Sequence, residues 1–209
     1  MRLQHTWRVL PVLFLAIGTL AVSDAAAQER DAAPAPNRPP GEGEGPFDRL
    51  IIRGGILIDG TGAPPRGPVD IVVERNRIVQ IVDVGAPGLP IDQSRRPRGP
   101  ARELDAEGMY ILPGFIDLHV HTCGYPKAPE AEYCYKLWMA HGVTTVRGVP
   151  FGGFEWSLKE KERSARNEIT APRMISCHRI GTGQGWGGKP ILDPETARQW
   201  VRWAAQQGI

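Results

Sequence analysis

Two histidines one residue apart, His119 and His121, close the run Ile111-Leu112-Pro113-Gly114-Phe115-Ile116-Asp117-Leu118-His119-Val120-His121. In an extended strand, side chains alternate between faces, so Asp117, His119 and His121 are expected on one side and Ile116, Leu118 and Val120 on the other. Two strand rises separate the histidine Cα atoms by about 6.6 Å. At that distance both imidazoles can lean onto one cation with bonds of roughly 2.0 to 2.1 Å. The plainer alternative is a chance pair of polar residues on a strand. Its context argues against that: Pro113-Gly114 breaks the chain just before a strand with an aliphatic outer face, as in a parallel α/β sheet. Polar groups on the inner face of such a strand are costly to bury unless they are paired or hold an ion.

Further chemistry-bearing residues sit at the ends of later strand patterns. His178 ends the pattern Arg173 to His178 and is the substrate-side candidate, with a hydrogen-bonded structural histidine as the alternative. Arg147 falls late in the pattern Val143 to Val149, where it would meet a substrate carboxylate or carbonyl, or else make a structural ion pair. Cys123 lies two residues beyond His121 and ranks below the histidines as a ligand. The chain has three cysteines, an odd and unpatterned set, and Cys134 and Cys177 read as buried free thiols. The loop Gly181 to Pro190 contains G-x-G-x-x-G at Gly183, Gly185 and Gly188 and nearly spells a P-loop. Pro190 stands where a Ser or Thr would hold magnesium and no helix starts at Lys189, so a mobile loop with Trp186 as lid is expected instead.

The elements that must position these groups are short. Leu50 to Arg53, Ile56 to Ile58, Val69 to Glu74 and Ile78 to Val84 read as strands, with Val69, Ile71 and Val73 on one face and a turn at Arg75-Asn76 using positive φ at Asn76. Residues 85–101, rich in Pro, Arg and Gly, read as a surface loop whose Arg95, Arg96, Arg98 and Arg102 are solvated. After His121 the pattern alternates. A helix is expected over Pro129 to His141 with Tyr133, Cys134, Leu137 and Trp138 on one face, and a second opened by a capping box at Ser157-x-x-Glu160 with Lys159 to Arg163 as its wet face. Asp193-Pro194 caps a third, which carries Ala197, Trp200, Val201, Ala204 and Ala205 at helical spacing and stops at Gly208. Three successive strand-then-helix units imply a parallel sheet with right-handed crossovers.

The 209 residues divide into four regions. Residues 1–27 read as an export signal, with Arg2 and Arg8 at its start, a 14-residue apolar core from Val9 to Val22, and cleavage after Ala27. That core falls short of the roughly 20 residues of a membrane-spanning helix, so no stable membrane anchor and a periplasmic or secreted destination are expected. Residues 28–46 read as a disordered Pro/Gly-rich linker, too poor in aliphatics to bury anything. Removing Arg2, Arg8 and Asp24 with the leader leaves 23 basic against 22 acidic residues, a balance with no electrostatic footprint for nucleic acid.

Leu104-Asp105-Ala106-Glu107-Gly108 followed by Leu112 to His121 resembles the start of the barrel in the amidohydrolase superfamily, in its imidazolonepropionase-like and prolidase-like branch. The resemblance runs upstream through Gly54-Gly55-Ile56-Leu57-Ile58-Asp59-Gly60-Thr61-Gly62 and downstream through Gly142-Val143-Thr144-Thr145-Val146-Arg147. It implies an α/β chain: part of a β-sandwich over residues 47–110, then the first three βα units of a TIM-type (β/α)8 barrel over residues 111–209. A complete barrel takes about 250 residues by itself, so the barrel here would be truncated. The resemblance further implies a hydrolase of amide-like or cyclic carbon-nitrogen bonds in a small-molecule substrate. One or two divalent ions, zinc by family habit, would be held in part by His119 and His121. The family's lysine, later histidines and aspartate are expected beyond Ile209, so the chain would be inactive alone. The competing reading is an exported, non-catalytic metal-binding module. The sequence leaves the substrate and oligomeric state open.

Overall fold

The computed structural model describes residues 32–121, 130–148 and 152–209. The expected leader over residues 1–27 and Cys123 both lie outside the described residues. The first sheet is built from β1 (Arg49–Leu57), β2 (Arg66–Glu74), β3 (Arg77–Asp83), β4 (Arg102–Asp105) and β5 (Tyr110–Ile111). Its order is β3-β2-β1-β4, and β5 also pairs with β1. β2 runs antiparallel to β1 and β3, whereas β4 and β5 are parallel to β1. The two strands expected on either side of Gly54-Gly55 are one strand, β1, with a register shift between Ile52 and Gly55. The alternating face of β2 is buried as expected, with Val69, Ile71 and Leu57 forming a core against which Val73 packs. Positive φ at the β2–β3 turn belongs to Arg75, at +55°, and not to Asn76.

The opposite face of β2 is also buried, and residues 85–101 help bury it. Asp70 is fully buried; its carboxylate accepts from Arg53 Nη1 at 2.8 Å and from the Gly54 N–H at 2.9 Å, and Arg96 Nε lies 3.3 Å away. Arg53 also donates to the Pro97 carbonyl at 3.0 Å. Arg96 therefore departs from the expectation of a solvated arginine loop. A buried carboxylate needs cationic partners, and the loop supplies one of them.

The second sheet is wholly parallel, in the order β6-β7-β8, from β6 (Phe115–Val120), β7 (Val143–Gly148) and β8 (Arg173–Ser176). α1 (Ala131–Ala140), α2 (Phe154–Ala165) and α3 (Pro194–Gln206) follow the three strands in turn. Gly114 at the entry to β6 is needed for packing, since a Cβ there would overlap the Thr144 side chain. α3 begins as expected: Asp193 accepts from the Thr196 N–H at 2.8 Å, Pro194 opens the helix, and Trp200 and Ala204 are buried.

Both earlier helices bury other residues than the sequence suggested. α1 turns Ala131 and Tyr135 inward, with Cys134 and Trp138 partly buried, and leaves Tyr133 and Leu137 exposed. Cys134 is disulfide-bonded, so it is not the buried free cysteine expected, and Cys177 is a free thiol, half-buried. α2 starts three residues before Ser157, at Phe154, with Gly153 as N-cap and no side-chain cap. There is no capping box, because Ser157, Glu160 and Ser164 form the buried face of the helix at i, i+3 and i+7.

The stretch expected to be a free linker is docked where it is described. Ala32 and Ala35 belong to the core formed by Val120, Tyr135, Val146 and Met174. Ala33 bridges Glu130, the Arg38 N–H donates to the Glu168 carbonyl at 2.7 Å, and Arg163 donates to the Ala35 carbonyl at 2.7 Å and to Asn37 Oδ1 at 2.9 Å. Small alanines and backbone hydrogen bonds do what the missing aliphatic side chains could not.

Candidate functional site

β6 carries His119, and His121 follows its last residue. Its register pairs Asp117 with Val146 and Val120 with Gly148, so three steps on β6 match two on β7. This irregularity breaks strict alternation between Asp117 and Val120. Val120 and Val146 both face the helices and are buried, which puts His119, His121 and Arg147 on the other face. Asp117 drops out of phase with the histidines, contrary to the sequence expectation. Its Oδ1 accepts from the His119 N–H at 3.0 Å.

The two imidazole centroids are 5.4 Å apart, with the ring planes at 54°. Nitrogen–metal bonds of about 2.1 Å put each ring centroid roughly 3.2 Å from a shared ion, and a tetrahedral angle then separates the centroids by about 5.2 Å. The observed centroid separation is close to that figure. Among the described residues no group of three or more His, Cys, Asp or Glu side chains is gathered to complete the sphere, and catalytic zinc takes three protein ligands plus water.

Arg147 is exposed and reaches across to β6, its Nη1 lying 3.4 Å from the Leu118 carbonyl. It is a neighbour of the histidine strand, and no ion pair involves it among the described residues. His178 lies two residues beyond β8 in a separate cluster. Its Nε2 is 2.6 Å from Ser157 Oγ, its ring centroid is 4.9 Å from that of Phe154, and it lines a cleft of about 500 Å³ with Glu155, Arg179 and Gln184. Sequence reading found His178 but not Ser157. The i, i+3, i+7 spacing of Ser157, Glu160 and Ser164 was the available signal.

The glycine loop beside that cleft, expected to be mobile, makes three hydrogen bonds and packs its tryptophan against a neighbouring ring. The Gln184 N–H donates to Glu155 at 2.5 Å, Trp200 Nε1 to the Thr182 carbonyl at 2.8 Å, and Trp186 Nε1 to the Lys189 carbonyl at 2.7 Å. Trp186 packs with Trp203 against the core of Phe154, Trp200 and Ala204. Gly183 and Gly185 are glycines because the Trp203 ring lies against them: a Cβ at Gly183 would come within 2.5 Å of it.

No family model matches the chain. Over 98 residues it is 40% identical to an N-acyl-D-aspartate deacylase of Alcaligenes xylosoxydans, a match covering 46% of this chain and 16% of that enzyme. Over 104 residues it is 34% identical to a dihydroorotase of Caldanaerobacter subterraneus, covering 49% of this chain and 21% of that one. Its fold matches that of a Bifidobacterium longum protein described as a prolidase, with a TM-score of 0.55 and 22% identity over 78% of this chain and 40% of the other. The chain thus spans only 16% to 21% of the length of these curated relatives. These likenesses, each to part of its relatives' length, support a relationship of the chain to the amidohydrolase superfamily.

Proposed function

We propose that this chain contributes the first part of a metal-dependent hydrolase of carbon-nitrogen bonds in small molecules. The observation that carries the reading is the 5.4 Å approach of His119 and His121 on one strand face. These two imidazoles, in their neutral form, would hold a divalent ion, with zinc as the family's habitual choice. A bound ion of this kind lowers the pKa of a water ligand to about 7 and polarises a carbonyl. Arg147, on the same face, would receive a carboxylate or carbonyl oxygen of the substrate, and His178 would meet the substrate from the end of β8. In this reading β6-β7-β8 is the opening portion of a (β/α)8 barrel, and residues 47–110 are part of a β-sandwich beside it. The names of the relatives, a deacylase, a dihydroorotase and a prolidase, support the bond class.

With two ligands in place, the chain by itself is proposed to bind metal without turnover. Its location is proposed to be the periplasm or the medium. The leader pattern of residues 1–27 supports this, as does the disulfide at Cys134, since disulfides persist in oxidising compartments. No helix among the described residues is long and apolar enough to cross a membrane.

Metal analysis tests the ligand assignment. The native chain is expected to retain zinc or another divalent ion after gel filtration, and the His119→Ala, His121→Ala variant to lose at least tenfold in occupancy. Equal content in the two proteins would remove the assignment. The second reading, a non-catalytic metal-binding module, is favoured by the absence of a third ligand among the described residues. Sustained hydrolysis of N-acyl-amino acids or dipeptides by the zinc-loaded chain would exclude it, and would equally overturn the proposal that the chain is inactive alone.

A further inference from the structure

The run Ala32-Ala33-Pro34-Ala35-Pro36-Asn37-Arg38 has no aliphatic side chain larger than a methyl outside its prolines, yet it is seated against the fold. Pro34 and Pro36 hold φ at about −65°, and they push Ala33 and Ala35, the residues before them, towards β or polyproline II backbone. A polyproline II helix turns once in about three residues, so residues 32, 35 and 38 share a face. Burial follows that period. Ala32 and Ala35 are 2% and 3% exposed and Arg38 is half-buried, whereas Ala33, Pro34, Pro36 and Asn37 are exposed. The two alanine methyls enter a cluster that contains Tyr135, with Trp138 and Trp156 packed against it. The backbone is gripped as well. The Ala33 carbonyl accepts from the Ala131 N–H at 3.0 Å, and the Arg38 N–H donates to the Glu168 carbonyl at 2.7 Å. Between them, the Ala35 N–H donates to Glu160 Oε2 at 3.4 Å and the Ala35 carbonyl accepts from Arg163 Nη2 at 2.7 Å.

We propose that the start of α1 and the adjoining face of α2 form a receptor groove for a polyproline II peptide with small residues at every third position. Residues 32–38 are its resident ligand, and they leave and return as a unit. Aromatic rings under a proline-rich segment are a recurring means of recognising such peptides, whose backbone is stiff before it binds. Glu160 and Arg163 stand three apart on α2, 2.5 Å from each other, and serve the two backbone groups of a single residue, Ala35. That grip reads backbone, so selection falls to the space around the two buried methyls. Two methyls remove little apolar surface from water, so the segment opens locally while the sheet beneath it stays closed. None of Ala131, Tyr135, Glu160, Arg163 and Glu168 lies in the histidine strand or lines the His178 cleft, so the groove and the proposed hydrolase site are tested apart.

The full-length Ala32→Lys, Ala35→Lys variant places two ammonium groups where buried methyls sit, which expels the segment and vacates the groove. A fluorescein-labelled synthetic peptide of residues 32–40 is expected, by anisotropy, to bind this variant at least about tenfold more tightly than the native chain, whose groove is filled. The same peptide with lysine at both alanine positions should not bind. A folded variant that ignores the native peptide, equal binding by variant and native chain, or equal binding of the two peptides would each overturn the proposal. Loss of the variant's cooperative thermal transition would do so too, because a receptor stands when its ligand has left. Native-state hydrogen exchange checks the unmodified chain: the Ala35 and Arg38 amides are expected to exchange at least about tenfold faster than the Val146 amide of β7. Protection at Ala35 equal to that at Val146 would make the segment an inseparable part of the core.

Discussion

Glu160 is 1% exposed, and three partners answer its charge: Arg163 Nη1 at 2.5 Å, the Tyr135 hydroxyl at 3.2 Å and the Ala35 N–H at 3.4 Å. Burial first, and the neighbouring Glu160 charge second, push the Tyr135 hydroxyl above the ordinary tyrosine range, so it remains a donor across the pH range of folded proteins. Deleting the carboxylate would strand a largely buried guanidinium, and breaking such a pair from one side costs about 3 to 5 kcal/mol. Glu160→Ala is expected to lower stability in urea by about 3 kcal/mol, and Glu160→Gln, which still accepts from Tyr135, by less. An unchanged midpoint would mean that water already serves the pair. In sequence this residue belongs to an apparently wet run from Lys159 to Arg163, because its partners Tyr135 and Ala35 lie 25 and 125 positions away. His119 and His121 stand together in the sequence for the opposite reason, since both lie within three consecutive residues. Ser157 was as hidden as Glu160, its partner His178 being 21 positions on.

α3 and the loop before it separate what local sequence can say from what it cannot. Asp193, Pro194 and the apolar spacing are contiguous signals, and the helix they announce is present. The glycines at 183 and 185 answer instead to Trp203, a residue that the motif does not contain, so a nucleotide-like spelling describes a packing contact. Substitution distinguishes the two kinds of glycine. At Gly187, φ is +73° with nothing within 4 Å of a built Cβ, so Gly187→Ala should lose only the left-handed backbone penalty, about 1 kcal/mol. At Gly183, φ is +104° and the Trp203 ring blocks the Cβ, so Gly183→Ala should lose about 2 to 4 kcal/mol and shift tryptophan fluorescence. Equal losses in chemical denaturation would mean that the loop moves off the ring freely. The cap has its own signature. The Thr196 N–H first, and its hydroxyl second, hold the Asp193 carboxyl below its ordinary value of 3.8. The stability gap between native protein and Asp193→Ala should therefore be full above pH 3.8 and close as pH falls through the lowered folded-state value, which thermal melts in acid would follow.

Across the whole molecule the two sheets are finished to different degrees. The β1–β5 sheet has its polar face covered by residues 85–101, and the docked segment from Ala32 helps α1 and α2 cover the helix side of β7. β6 is different: as the end strand of its sheet it leaves Phe115, Ile116 and Leu118 at 58%, 62% and 64% exposure. Strands of parallel sheets are ordinarily covered on both faces, and an apolar edge strand is a template for pairing with another chain. The strand alternation in the sequence put Ile116, Leu118 and Val120 on one face, but only Val120 is buried, because the register irregularity between Asp117 and Val120 breaks the alternation and burial depends on elements that β6 itself does not specify. For the 209-residue chain the consequence is self-association through β6. Light scattering is expected to show oligomers growing with concentration, and an Ile116→Lys, Leu118→Lys variant should suppress them because like charges resist edge pairing, while leaving the thermal transition of the other elements in place. A native chain that stays monodisperse over the same concentrations would mean that the exposed face of β6 is tolerated in water, and that the histidine strand needs no neighbour to hold its place.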